Sequence, residues 1–476
     1  MLASTETPPA ATHSPAGFNT AYVWVISIVA AMGGLLFGYD WIVISGTDLF
    51  YEAHFHLTSS LAVGWAKSSA LLGCLLGALV SGALSDRFGR KRFLLLSALL
   101  FAVSSVATGL AGSFAVFVLW RIAGGAAIGL ASNLSPMYIA EVAPAQTRGR
   151  LVSLNQLTIV IGILLAQFVN WRIGSLHPLP DQPTAEQIAA SWSGQTGWRW
   201  MFGVTAAPSL LFLIGMFFVP ESPRWLAKNG KPEQARAILA SIGGGDYAGA
   251  ALADIQATLV NEIQQVNFRD LLAPKLKCML FLGIALAVLQ QWCGINVIFY
   301  YAKDVFKDSG FKVADILISI VFIGSVNLLA TLVALKTVDR WGRRPLMLFG
   351  YAGLTVLFVI LGLCFALNTR GIHMLALVLA AIACYAMSLA PITWVLIAEI
   401  FPNRIRGAAM SVAVTSLWIA CFVLTETFPL LREHLGPAIT FWIYAAICLF
   451  GFLLFRAKLP ETKGKTLEQL ETELVD

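Results

Sequence analysis

Asp86-Arg87-Phe88-Gly89-Arg90-Lys91 is a short charged stretch that closes an apolar run, and it occurs in two versions. The second is Asp339-Arg340-Trp341-Gly342-Arg343-Arg344. Glu141 with Arg148-Gly149 returns as Glu399 with Arg406-Gly407, and Pro220-Glu221-Ser222-Pro223-Arg224 has a partial echo in Pro460-Glu461-Thr462-Lys463-Gly464. Three motifs in one order, each after the equivalent apolar run, mark an internal duplication. The runs are about 20 residues long, which spans a hydrocarbon core. Six lie near 20–46, 62–84, 93–112, 114–138, 151–173 and 200–219, and six near 278–302, 315–337, 346–367, 373–398, 407–428 and 437–457. Two six-helix halves around a central site is a common build for carriers that work by alternating access. The expected fold is an all-α membrane protein of twelve transmembrane helices in two pseudo-symmetric halves.

Composition agrees. Of 476 residues, 58% are hydrophobic and 12% are charged, against about 25% charged in a soluble domain. The net charge of +6 does not point to nucleic acid, because the basic residues cluster between apolar runs. There they set orientation and meet anionic lipid. Arg87, Arg90, Lys91 and Arg92 follow the second run, Arg148 and Arg150 the fourth, Arg340, Arg343 and Arg344 the eighth, and Arg404 and Arg406 the tenth. This places both termini in the cytoplasm and the protein in the cell (inner) membrane. The loop after the seventh run, with Lys303, Lys307 and Lys312, breaks the pattern. The expected units are a disordered tail 1–18, a first half 19–219, a cytoplasmic helical linker 220–277, a second half 278–457 and a cytoplasmic tail 458–476. No cleavable signal sequence is expected. The seven cysteines form no CxxC pattern and read as small buried hydrophobes.

Polar groups inside the runs are the functional candidates. Asp40 ends Gly33-Gly34-Leu35-Leu36-Phe37-Gly38-Tyr39-Asp40 in the first run. A carboxylate at that depth costs about 2.5–3.5 kcal/mol even on lenient insertion scales, so it should face protein or water. The glycines before it allow close helix approach. Arg121, in the fourth run, needs a carboxylate, and Asp40 is the comparably deep acid of the first half. Burial favours a protonated carboxyl and a neighbouring Arg favours the ionised form, so parting and rejoining the two would take up and release a proton. The plainer alternatives are an Asp solvated near a helix end and an Arg that snorkels to the rim.

Gln290-Gln291-Trp292-Cys293-Gly294-Ile295-Asn296 is the second candidate. Amides in a spanning helix need partners, and they both donate and accept, which suits a ligand rich in hydroxyls. On an unbroken helix Gln291 and Asn296 stand about 140° apart; a break at Gly294 would turn both to one cavity. Inter-helix glue is the alternative. Gln156 and Asn327 are further candidates in other runs; isolated Trp residues in spanning helices, such as Trp394 and Trp418, are more often interfacial or packing.

These motifs together resemble the sugar porters of the major facilitator superfamily. The resemblance runs nearly the whole length, from GGLLFGYD through DRFGRK, PESPR, QQWCGIN, DRWGRR and PETKG. It is strongest to bacterial sugar–proton symporters of the xylose-carrier type; related facilitators typically carry Asn where this chain has Asp40. The resemblance implies that Asp40 and Arg121 couple transport to a proton. It implies sugar contacts at Phe37, Gln156, Gln290, Gln291, Asn296, Asn327, Trp394 and Trp418, with Tyr300 and Tyr301 weaker candidates near an outer gate. It implies gating networks on the cytoplasmic side, from Asp86, Arg87, Arg90, Glu141, Arg148, Glu221 and Arg224 in the first half and linker, and from Asp339, Arg340, Arg343, Glu399, Arg406 and Glu461 in the second. One position departs from the pattern: Leu417 stands before Trp418 where relatives often carry an amide, and Cys421 stands where Asn is common. The expected activity is import of a monosaccharide (xylose, glucose, galactose or arabinose) with a proton, by a monomer that needs no cofactor or metal and catalyses no covalent step. A sugar uniporter and a non-transporting sugar sensor are the alternatives; the short tail after Lys465 argues against the sensor.

Overall fold

The computed structural model describes residues 17–180, 183–261, 274–401 and 406–463, and among them there is no strand. The expected tails therefore lie largely outside the described residues, as do linker residues 262–273.

The first half contains α1 (Thr20–His54), α2 (Ser60–Phe88), α3 (Arg90–Gly109), α4 (Phe114–Val142) and α5 (Arg148–Gly174). A short α6 (Ala185–Ala190) and a π turn (Ser193–Gly197) then lead into α7 (Trp198–Gly203) and α8 (Ala206–Phe218). Two helices follow outside the bundle, α9 (Pro223–Lys228) and α10 (Pro232–Asn261). The second half contains α11 (Pro274–Trp292), α12 (Ile295–Tyr300), α13 (Ala302–Asp308), α14 (Val313–Trp341), α15 (Arg343–Ala366), α16 (Ile372–Met387), α17 (Leu389–Glu399) and α18 (Arg406–Lys458).

Among the described residues, eleven stretches are long and apolar enough to cross a membrane, and the last of them, Ala409–Lys458, has 50 residues. Unbroken, it would be about 75 Å long, against roughly 30 Å of hydrocarbon. It turns at Gly436, where φ is 76°, with Pro437 next. It therefore passes twice, and the protein has twelve spans in two halves.

Close helix packing explains the glycines of the first run. A Cβ on Gly38 would lie 1.9 Å from the carbonyl oxygen of Ile159, and one on Gly162 would lie 2.0 Å from that of Leu35. Only glycine on both helices lets α1 and α5 touch backbone to backbone. This contact fixes the rotation of α1 and so the direction in which Asp40 points.

The first helix is longer than its apolar run. The run ends near 46, yet α1 continues to His54 through Asp48 and Glu52. The reason is that Asp48 is neutralised by Lys67 of α2, at 2.7 Å, with both side chains at most 1% exposed. A buried ion pair lets charged residues continue a spanning helix.

Outside the bundle, the linker expected to be helical contains α9 and α10. The two pack together through Trp225, Leu226 and Ala235. Trp225 Nε1 donates to the Asp86 carbonyl at 2.9 Å, which ties this layer to the end of α2.

Candidate functional site

A cavity of about 490 Å³ lies between the two halves, well inside the range of about 300–1,000 Å³ typical of ligand sites. Phe37 and Trp41 of α1 and Asn155 and Gln156 of α5 form one side; Gln290, Gln291 and Asn296 form the other. Asn327 of α14, Trp394 of α17 and Leu417 and Trp418 of α18 complete it.

The wall around Gln291 depends on a helix break. α11 stops at Trp292 and α12 starts at Ile295, with Gly294 between them at φ 86°. That left-handed conformation suits glycine. The break brings Asn296 to the same wall as Gln291, so that Asn296 Nδ2 donates to Gln291 Oε1. Gln291 Nε2 donates in turn to Gln290 Oε1, and Gln290 Nε2 to the Tyr385 hydroxyl. Three amides and a phenol thus form one polar ladder. Each can exchange its bond for one to a hydroxyl-bearing ligand.

The α18 side is less polar. Leu417 and Cys421 present no strong hydrogen-bonding group, and the Trp418 ring packs against Phe37 at 6.1 Å across the halves. Trp418 Nε1 is buried without a partner. Asn155 Oδ1 is another buried atom without a partner. Asn133, Asn155 and Tyr385 were not singled out from the sequence, although an amide inside a run is the same signal that identified Gln156. Tyr300 needs correcting: it is not on the cavity wall. Its ring packs edge-on to Trp41 at 5.1 Å, and Trp41 occupies the wall instead.

Asp40 and Arg121 meet beside the cavity. Arg121 Nη1 lies 3.1 Å from Asp40 Oδ1, and the side chains are 2% and 4% exposed. Nη2 also donates to the Asp40 carbonyl at 3.4 Å. Asp40 Oδ2 and Arg121 Nε are buried without partners. The pair spans α1 and α4, and neither residue lines the cavity itself. The expectation that Arg121 finds its counter-ion in Asp40 is met; the rim-solvated alternatives are not.

One end of the bundle gathers the basic motifs. Arg90 pairs with Glu141 at 3.1 Å and with Asp86 at 2.9 Å. Glu221 Oε1 accepts from the backbone N–H groups of Arg90 and Lys91, at the start of α3. The second half repeats this: Glu461 accepts from the N–H groups of Arg343 and Arg344, at the start of α15, and Arg343 pairs with Glu399 at 3.4 Å. A carboxylate at a helix N-terminus satisfies free donors and meets the positive end of the dipole. These pairs each stay within one half or tie it to its adjoining segment. Arg87, Arg148 and Arg340 are exposed, Arg224 is half-buried, and the side chains of Asp339 and Arg406 lie outside the described residues. Arg343 also lines the cavity, so the cavity extends towards this basic end.

The far end is closed by charge. Lys67 of α2 lies 2.7 Å from Asp48 and 3.9 Å from Asp304 of α13. Lys303 of α13 pairs with Glu52 and lies 3.9 Å from Asp48, both of α1. Burial would raise the Asp304 carboxyl, but Lys303, Lys67, Arg432 and Lys307 outweigh it and hold Asp304 below the usual carboxylate range.

Comparison with known proteins gives a consistent result. The profile of the family described as "Sugar (and other) transporter" matches residues 26–474. A D-xylose-proton symporter of Escherichia coli (strain K12) is 40% identical, covering 95% of this chain and 96% of its own. A glucose transport protein of Synechocystis is 41% identical, covering 97% and 100%. Among solved structures, the xylose transporter of E. coli in a partially occluded inward-open conformation superimposes with a TM-score of 0.82, at 37% identity, over 94% of this chain and 100% of that one.

Proposed function

The chain belongs to the sugar transporter family of the major facilitator superfamily, and from that premise we propose that it imports a monosaccharide together with a proton by alternating access. The observation that carries this reading is the cavity between the halves, with its amide ladder, set beside the buried Asp40–Arg121 pair. The amides and Tyr385 would pair with sugar hydroxyls, and Trp394 and Trp418 would cover the C–H face of the ring. Relatives named for xylose and glucose support a pentose or hexose.

Asp40 is the proposed proton site. While Arg121 holds it, the carboxylate keeps its charge. When movement of α1 against α4 parts the two, an unpaired buried carboxylate is costly, and protonation removes that cost. Return of Arg121 then expels the proton. In this reading the basic end is cytoplasmic, in keeping with the preference of Lys and Arg for that side. The cavity then faces the cytoplasm and the charged far end is the closed outer side. The carrier acts as a monomer in the cell membrane, with no cofactor and no covalent step.

The test is uptake of labelled xylose, glucose, galactose and arabinose into transporter-deficient cells, with and without a protonophore. One sugar should accumulate, and the protonophore should abolish the accumulation. Uptake that only equilibrates, indifferent to the protonophore, would leave a facilitator.

A further inference from the structure

We infer that the buried ion pairs between α1–α2 and α13 are the lock that holds the outer side closed, with Lys303 as its bolt. Three observations converge on it. First, the groups are buried: Asp48 and Lys67 are at most 1% exposed and Lys303 is 6% exposed. Second, the pairs cross between halves. Lys303 of the second half reaches Glu52 and Asp48 of the first, and Lys67 of the first reaches Asp304 of the second. Lys67 Nζ also sits over the Tyr301 ring, 3.9 Å from its centroid. Third, the second-half partner is itself held in place: Arg432 of α18 pairs with Asp304 at 3.3 Å and with Asp308 at 2.7 Å. An outer crevice of about 880 Å³ ends on Glu52, Tyr301 and Asp304. The cluster is therefore the floor of the outer vestibule.

The pairs described at the basic end each stay within one half or tie it to its adjoining segment. Opening the outer end must part Lys303 from Glu52 and Asp48, and Lys67 from Asp304 and Tyr301. The separated groups need water, which the open vestibule supplies. The cluster thus favours the inward-facing state by an amount that depends on Lys303 keeping its charge and reach.

The inference presumes alternating access but neither the sugar nor the proton, and its test uses neither. Hydrogen exchange is measured on the full chain in nanodiscs, for residues 44–57 and 302–308 at the outer end and 148–156 and 328–337 at the basic end. Lys303→Gln should speed exchange at the outer end by about tenfold, on the scale of typical coupling between conformational states, and slow it at the basic end. The double variant Glu52→Gln/Lys303→Gln leaves no lone charge, so it should fold normally and show the same reciprocal shift. Lys303→Arg should keep the parent pattern. Unchanged exchange in the double variant, or exchange rising at both ends together, would overturn the lock while leaving the sugar–proton reading intact.

Discussion

Replacing Asp40 by Asn should separate coupling from sugar recognition. The amide has nearly the same shape, and its oxygen can still accept from Arg121 Nη1, now at 3.1 Å from the carboxylate. What is lost is the charge beside an Arg121 that is 2% exposed. Removing one partner of a buried pair costs about 3–5 kcal/mol; the retained bonds to the amide and to the Asp40 carbonyl offset part of this. The variant should fold with reduced stability. It should keep sugar exchange, because neither residue lines the cavity. Accumulation is the sensitive measure. A sugar carries no charge, so a cycle with one proton moves one charge, and 100 mV then supplies about 2.3 kcal/mol. At 1.4 kcal/mol per factor of ten, that holds a gradient of about 40-fold. In proteoliposomes under a potassium diffusion potential of that size, Asp40→Asn should give a ratio of one while counterflow of labelled sugar persists. Arg121→Ala should lose accumulation in the same assay. A protonophore-sensitive gradient in Asp40→Asn would remove Asp40 as the proton site.

Three more outcomes are expected. Gln291→Ala should weaken sugar binding by on the order of 1 kcal/mol, and by more because Gln290 and Asn296 each lose a partner; equilibrium binding measures it, and unchanged affinity would take the ladder out of the site. Leu417→Gln should shift relative affinities among the four sugars by roughly 1–3 kcal/mol, read by competition; an unchanged ranking would make Leu417 a packing residue. Gly294→Ala should cost about 1–2 kcal/mol for the left-handed backbone alone, with a further cost because the new Cβ would lie 2.7 Å from the Tyr444 ring; thermal unfolding in detergent checks it, and parental stability would show that the break can straighten.

Much of this architecture is legible in the sequence because it is written in runs and repeats. The twelve spans, the paired motifs and the break at Gly294 are local features. The Asp40–Arg121 pair was legible for a different reason: each is a deep charge of the first half that lacks a local partner. The outer cluster was not legible. Lys67 sits inside an apolar run, and Asp48 and Glu52 lie just beyond the first run; nothing local says that they meet. Lys303 counted only as an exception to the charge rule of the loops; its burial against α1 explains the exception. Tyr300 failed for want of orientation: α12 turns Phe299 to the cavity and leaves Tyr300 behind Trp41.

The break at Gly294 has a chemical signature of its own. Interrupting a helix frees backbone carbonyls, which inside a membrane must find donors. Two of them find sulfur: Cys293 Sγ donates to the Gln290 carbonyl at 3.0 Å, and Cys448 Sγ to the Cys293 carbonyl at 3.4 Å. Thiols are weak donors, so these carbonyls are covered against lipid yet surrendered at little cost. A hydroxyl in either place would grip the turn more firmly than these thiols do.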